Sequence, residues 1–194
     1  MTPFEYTMVL ISIILGLGIT TILTGLAEYI RQAGLFKIYL PHLIWILLVF
    51  VLHVQEWWEN YSLMTISAWK LPLFLFILLY PINLYILAHL LFPSAQHPAT
   101  DSKTYYLSNY PKLFVCAILL DVLSIIHNVT IAGWSLRDQV PQIMVLILLG
   151  GMLASKTKNQ KAHTAMALLL LTMMLVVLFF TGEHYTLSSY DTHQ

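Results

Sequence analysis

Six apolar runs follow one another along a chain of 194 residues, and that repetition constrains the fold more than any motif does. A hydrocarbon core of about 30 Å needs roughly 20 residues at about 1.5 Å each. An unpaired backbone amide in lipid costs several kcal/mol, so runs of this kind must be helices. The expected spans are 4–30, 41–58, 71–92, 113–134, 139–156 and 162–181. The connections are too short for a separate soluble domain, which predicts one all-α transmembrane helix bundle over residues 1–194. Only 9% of residues are charged, against roughly a quarter in soluble domains, so the bilayer is the expected partner. Formal net charge is zero, and no basic surface argues for nucleic acid. The lone Cys116 excludes an intrachain disulfide. The start, Met-Thr-Pro-Phe-Glu-Tyr, lacks a positive n-region, so the first span is expected to be retained.

Within the first span Ser12, Gly16, Thr20, Thr24 and Glu28 recur every four residues. Small residues at that spacing let helix backbones approach closely, which predicts a packing face and a route to a homo-oligomer through this helix. Pro41 is placed where a first helical turn tolerates it. The connection 94–110, with Pro98 and the tyrosines Tyr105, Tyr106 and Tyr110, is expected to be a partly interfacial loop. The fourth span carries Asp121 near its middle, with Ser124 and Asn128 on the same face and His127 on its flank. A carboxylate there costs roughly 2.5–3.5 kcal/mol on insertion scales and must face a partner, water or the bundle interior. It is either a functional station or interhelical glue bonded to Thr20 or Ser12. The fifth run is short and contains Gly150-Gly151; a full crossing capped by Asp138 and a re-entrant segment are the two expectations.

Charge gives an orientation. Arg31, Lys37, Lys103, Lys112, Lys156, Lys158 and Lys161 fall on one side of a six-span chain, against Lys70 and Arg137 on the other. The positive-inside rule then places both termini outside the cytoplasm. On that outer side the stretch His53-Val-Gln-Glu56-Trp57-Trp58-Glu59 ends the second span. His53 lies about 6–8 Å below its tryptophans and His127 about 10 Å below Trp134, so the two imidazoles share a depth. Glu5, Glu56, Glu59, Glu183 and His184 are expected to ring an outer vestibule, and His42, His89 and His163 to form a looser inner layer. Pro41 and Pro141 open the second and fifth spans alike, which is consistent with two three-helix inverted repeats.

His53 and Glu56 are three residues apart, and an imidazole with a carboxylate can bind a divalent metal, relay a proton or hydrogen-bond. A metal set would be His53, Glu56 and His127. No Gly-x-Ser-x-Gly, His-Glu-x-x-His, Walker or Cys-x-x-Cys motif is present, which sets those enzyme classes aside. Phe4-Glu5-Tyr6, Ile14-Leu-Gly-Leu-Gly-Ile-Thr20, Pro41-His42-Leu43 and His53-Val-Gln-Glu-Trp-Trp58 together resemble a family of uncharacterised small six-span bacterial membrane proteins. The resemblance covers mainly the first two spans and implies no activity. A second resemblance is to six-span di-haem cytochromes. It implies an outer haem b pair from His53 and His127, while His42, His89 and His163 depart from that family's arrangement. The expected function is a transporter or channel for protons, metal cations or a small polar solute, with Asp121, Ser124, His127 and Asn128 along the path. The alternatives are a haem- or metal-binding redox protein and a noncatalytic partner or sensor subunit.

Overall fold

The computed structural model describes residues 1–31, 39–66, 68–93 and 101–180, and over them the fold is all-α. Six helices are long and apolar enough to span a membrane. They are α1 (Pro3–Arg31), α2 (Leu40–Glu59), α3 (Leu71–Leu90), α4 (Ser102–Thr130), α5 (Val140–Ser155) and α6 (Gln160–Phe180). A 3-10 turn, Asn60–Thr65, extends α2, and another, Leu136–Gln139, leads into α5. Proline sits in the first turn of α2, α3 and α5, where its missing N–H has no helical partner to lose. Gly150 and Gly151 do not interrupt α5, which runs on to Ser155 and ends at a left-handed Lys156 (φ 49°). The fifth run is therefore one continuous helix, which with its 3-10 lead-in is long and apolar enough to span.

The fourth helix begins three turns earlier than expected. Asp101 caps it: its Oδ1 accepts the Thr104 N–H at 2.7 Å and its Oδ2 the Thr104 hydroxyl at 2.7 Å. That satisfies one of the orphan amides of a helix start. Hydrogen bonds to this exposed carboxylate, first from the Thr104 amide, hold it below the ordinary aspartate value. Pro111 lies inside α4 and deprives the Leu107 carbonyl of its helical donor, a defect of about 3 kcal/mol. The helix continues through it, with Tyr106, Tyr110, Leu113 and Phe114 packed in the core and the Tyr106 hydroxyl bonded to His163. Residues 102–110 are thus helical, and two of their tyrosines belong to the core rather than to the headgroup layer.

Packing corrects the reading of α1. Its buried face is Thr7, Ile11, Leu15, Gly18 and Ile22, and it packs along α3 and against α2. Gly18 and Gly25 are the small residues that matter. A Cβ on the first would collide with the His53 imidazole, and one on the second with the Phe92 ring. Gly16, Thr20 and Thr24 are exposed, Ser12 is half-buried, and a Cβ on Gly16 would meet nothing within 4 Å. The Thr20 hydroxyl donates to the Gly16 carbonyl of its own helix at 2.8 Å. The four-residue stripe is therefore not the contact within the chain.

The remaining helices form a ring. α2 packs on α3 and α6, and α4 lies against α3 and α5. The two halves of the chain do not pack alike, because α1 lies along α3 whereas α4 lies along α5. That difference argues against the inverted repeat.

Candidate functional site

Between α2, α4, α5 and α6 the ring leaves an open cavity of about 650 Å³. Its walls are mostly apolar, with Leu48, Leu52, Val145, Leu149, Leu170 and Met174 among the lining side chains. Polar groups are few and carry one sign. Asp121, Ser124 and Asn128 come from α4, Gln55, Glu56 and Glu59 from α2, and Asp138 and Gln142 from the start of α5. Among the described residues no Lys, Arg or His lines it. Asp121 lies nine residues from the end of α4 at Thr130, roughly 14 Å deep at helical rise. Its Oδ2 is enclosed and has no hydrogen-bond partner among the described residues. The glue reading of Asp121 does not hold, because α1, with Thr20 and Ser12, packs on the far side of α3 and α2.

The other carboxylates are held by local geometry. Asn60 donates to the Glu56 carbonyl at 2.8 Å and to its Oε1 at 3.2 Å, and Gln55 donates to Glu59 Oε1 at 2.7 Å. The Ser135 N–H and hydroxyl both donate to Asp138 Oδ2 at 2.8 Å, closing a capping box at the turn before α5. Asn128 donates to Gln139 Oε1 at 3.0 Å, which ties the mouth of α4 to the same turn. A smaller cleft of about 40 Å³ adjoins the cavity through Glu56, Glu59, Tyr80, Ser124 and Asn128, and His127 borders it.

The expected site is therefore brought together in part. Asp121, Ser124, Asn128, Glu56 and Glu59 line one cavity, and His127 stands beside it. His53 is not with them. Its Nδ1 donates to the Val49 carbonyl at 2.7 Å and its Nε2 lies against Gly18 of α1. Three residues along a helix turn a side chain by about 300°, enough here to put His53 on the α1 side of α2 and Glu56 on the cavity side. His53, Glu56 and His127 thus do not form a metal set. Among the described residues no three His, Cys, Asp or Glu side chains are close enough to hold an ion. Nor do His53 and His127 face a common space that would admit a haem between them. Glu5 is exposed and bonded within its own turn, accepting the Thr2 N–H at 2.8 Å, and it lines neither cavity. Glu183 and His184 lie outside the described residues. Asp138, Gln142 and the pair Met173-Met174 were not anticipated as site residues. Asp138 had a signal in its cap spacing, whereas two methionines in an apolar run have none.

The opposite end of the bundle is closed by an aromatic layer. The His42 Nε2 donates to the Leu91 carbonyl at 2.7 Å, so its Nδ1 is the acceptor, facing the hydroxyls of Ser102 at 2.9 Å and Tyr29 at 3.1 Å. His163 repeats the pattern: Nε2 donates to the Thr157 carbonyl at 2.9 Å and Nδ1 accepts the Tyr106 hydroxyl at 3.0 Å. Tyr105 donates to the Leu90 and Phe92 carbonyls, which caps the end of α3 from another helix. Burial raises the Tyr39 phenol above its ordinary value of 10.0. The third inner histidine, His89, is exposed and bonds the Tyr85 carbonyl of its own helix. Tyr110 and Phe114 pack on His163, and Phe114 stacks on Trp45 at 5.5 Å between ring centroids. Trp45 lines the cavity, so this layer forms its floor. No family model matches the chain, and neither the curated proteins nor the solved structures contain a match to it.

Proposed function

We propose that the protein is a small membrane transporter that moves protons, alone or with a solute, through the cavity between α2, α4, α5 and α6. One observation carries the reading. Asp121, at mid-membrane depth, lines the cavity, and its buried Oδ2 meets neither a salt bridge nor an interhelical hydrogen bond among the described residues. An ionisable side chain in a span is costly to retain, and one that faces open space inside the bundle is positioned to take up and release a proton. Asp138, in the turn before α5, lines the same space and supplies negative potential that draws cations toward Asp121. Ser124 and Asn128, on the same face of α4, supply hydroxyl and amide groups for a hydrogen-bonded path. The Lys and Arg asymmetry supports an orientation with both termini on the non-cytoplasmic side, and the resemblance to small six-span bacterial proteins supports a bacterial inner membrane.

Proteoliposomes with a pH-sensitive dye inside test this reading. Under an inside-negative potassium diffusion potential, wild-type protein is expected to acidify the lumen faster than empty liposomes. Asp121→Asn is expected to fall to the empty-liposome rate while eluting as the same species in gel filtration. Equal rates for the two proteins overturn the assignment of Asp121, and a wild-type rate equal to that of empty liposomes overturns proton transport.

A further inference from the structure

The size and lining of the cavity go beyond what a proton needs. Pockets of about 300–1,000 Å³ with apolar walls and a few convergent polar groups are the usual sites of organic ligands, and this one has about 650 Å³. Four carboxylates line it, from Glu56, Glu59, Asp121 and Asp138, with no cationic side chain among the described lining residues. The described lining residues offer an anion no cationic partner. A neutral apolar ligand would fill the volume but leave the Asp121 oxygen without a partner, at the cost of a buried polar group. An inorganic divalent cation needs six or so oxygen ligands, and no three acidic, His or Cys side chains converge among the described residues.

Aromatic rings of Trp45, Tyr80 and Trp134 also line the space. Indole and phenol faces attract a diffuse positive charge and match apolar substituents around it. Met173 and Met174 supply unbranched, polarisable surface that adapts to ligands of different outline. The combination of large apolar volume, a single sign of charge and one deep unpartnered carboxylate suits a positive centre carrying apolar rings or chains.

Resting on the reading of this cavity as the transport site, we propose that it binds an amphipathic organic cation, with Asp121 as the counter-ion and the aromatic and methionine walls around the apolar groups. The cation then occupies the position at which the proton binds, so the two compete for one carboxylate.

Equilibrium binding to the purified full chain in nanodiscs tests this, with empty nanodiscs subtracted. The probes are tritiated tetraphenylphosphonium and, measured separately, tritiated tetraphenylborate, which has nearly the same shape and the opposite charge. Saturable binding of one phosphonium per chain is expected, with no saturable binding of the borate. Asp121→Asn is expected to weaken phosphonium binding at least tenfold, and Val145→Trp, which fills the cavity from α5, to do the same without touching a carboxylate. Equal binding of both probes overturns the selection for positive charge, even if Val145→Trp abolishes both. Phosphonium binding that survives in both variants places the site elsewhere and overturns the inference. A wild-type chain that binds neither probe yet moves protons through Asp121 overturns the organic cation and leaves the transport reading standing. Binding that depends on Asp121 in a chain that moves no protons supports the site while the transport reading fails.

Discussion

The two ends of this bundle use similar polar side chains to opposite effect. At the end where α4 and α6 begin, both nitrogens of His42 and of His163 are matched to a carbonyl or a hydroxyl, and Tyr105 caps the carbonyls of α3. At the other end carboxylates from α2, α4 and the turn before α5 line a cavity, and one oxygen of Asp121 has no partner among the described residues. The Tyr39 hydroxyl and the Trp45 Nε1 at the first end are also unpartnered among the described residues, but neither carries a charge. In lipid an unmatched ionisable group is the costlier one, so the matched imidazoles belong to the architecture and an unmatched carboxyl beside a cavity marks where a ligand or proton acts. His53 lies between the ends and refines the rule. Its Nε2 is buried and unpartnered among the described residues, but it faces the backbone of Gly18 with no space beside it. An orphan group without a cavity is packing; an orphan group with one is a site.

The largest effect is expected where His53 meets α1. Gly18→Leu drives a side chain into the imidazole and forces α1 off α2 and α3, at about 3 kcal/mol or more for overpacking a closed contact. Gly16→Leu, two residues away, adds the same atoms to open space and is expected to change stability by less than about 0.5 kcal/mol. Unfolding of the two variants in mixed micelles, followed by circular dichroism, separates them. Equal midpoints would break the assignment of the buried face of α1.

At the saturated end, His42→Phe keeps a ring of similar bulk but leaves the Leu91 carbonyl and the Ser102 and Tyr29 hydroxyls without the imidazole. The expected loss is about 1–3 kcal/mol, because hydrogen bonds within membranes are individually modest and a stranded buried acceptor is the larger cost. His53→Leu removes a polar group whose outer nitrogen has no partner and is expected to cost less than His42→Phe in the same assay. If the two histidine variants lose the same stability, hydrogen-bond saturation is not what distinguishes these residues.

Much of the fold was legible because lipid leaves few choices. Long apolar runs must be helices, and prolines mark where three of them begin. The first three turns of α4 were not, since a stretch with Pro111 and three tyrosines reads as interfacial until the tyrosines have partners. Those partners, the Leu90 and Phe92 carbonyls and His163, lie 13 to 57 residues away and leave no local pattern. The site shows the same division. Asp121, Ser124 and Asn128 share a face by spacing alone, and they line one cavity. His53 and Glu56 also satisfy a same-face rule, but α2 touches neighbours on several sides, and a rotation short of a full turn assigns them to different ones. Periodicity says which residues are near one another along a helix, and only packing says what each one faces.

At the open end the expected change has the opposite sign. Asp121→Asn replaces a carboxylate that costs roughly 2.5–3.5 kcal/mol at mid-membrane with an uncharged amide of the same shape, for a gain on the order of 1 kcal/mol in the micelle assay. Functional groups held at a structural cost behave in this way, with stability rising as activity is lost. A clear loss of stability in Asp121→Asn would move Asp121 into the saturated, architectural class and break the contrast between the ends.

The smallest effect tests how the saturated end is held from outside the membrane. Asp101 caps α4 immediately before Ser102, whose hydroxyl meets His42. Because the folded carboxylate titrates below its ordinary value of 3.8, the unfolded chain binds the proton first. The cap therefore contributes fully above that value and is lost as pH falls through the lower, folded one. Since the group is exposed, this is a local loosening and not acid denaturation. Amide exchange at Thr104 is the measurement: its protection, corrected for intrinsic rates, should decline on acidification below about pH 4, the unshifted aspartate range. Asp101→Asn retains an oxygen that accepts the amide and should abolish the decline, whereas Asp101→Ala should leave Thr104 poorly protected at every pH. A decline that persists unchanged in Asp101→Asn would show that another group controls the start of α4, and would detach the saturated layer from this cap.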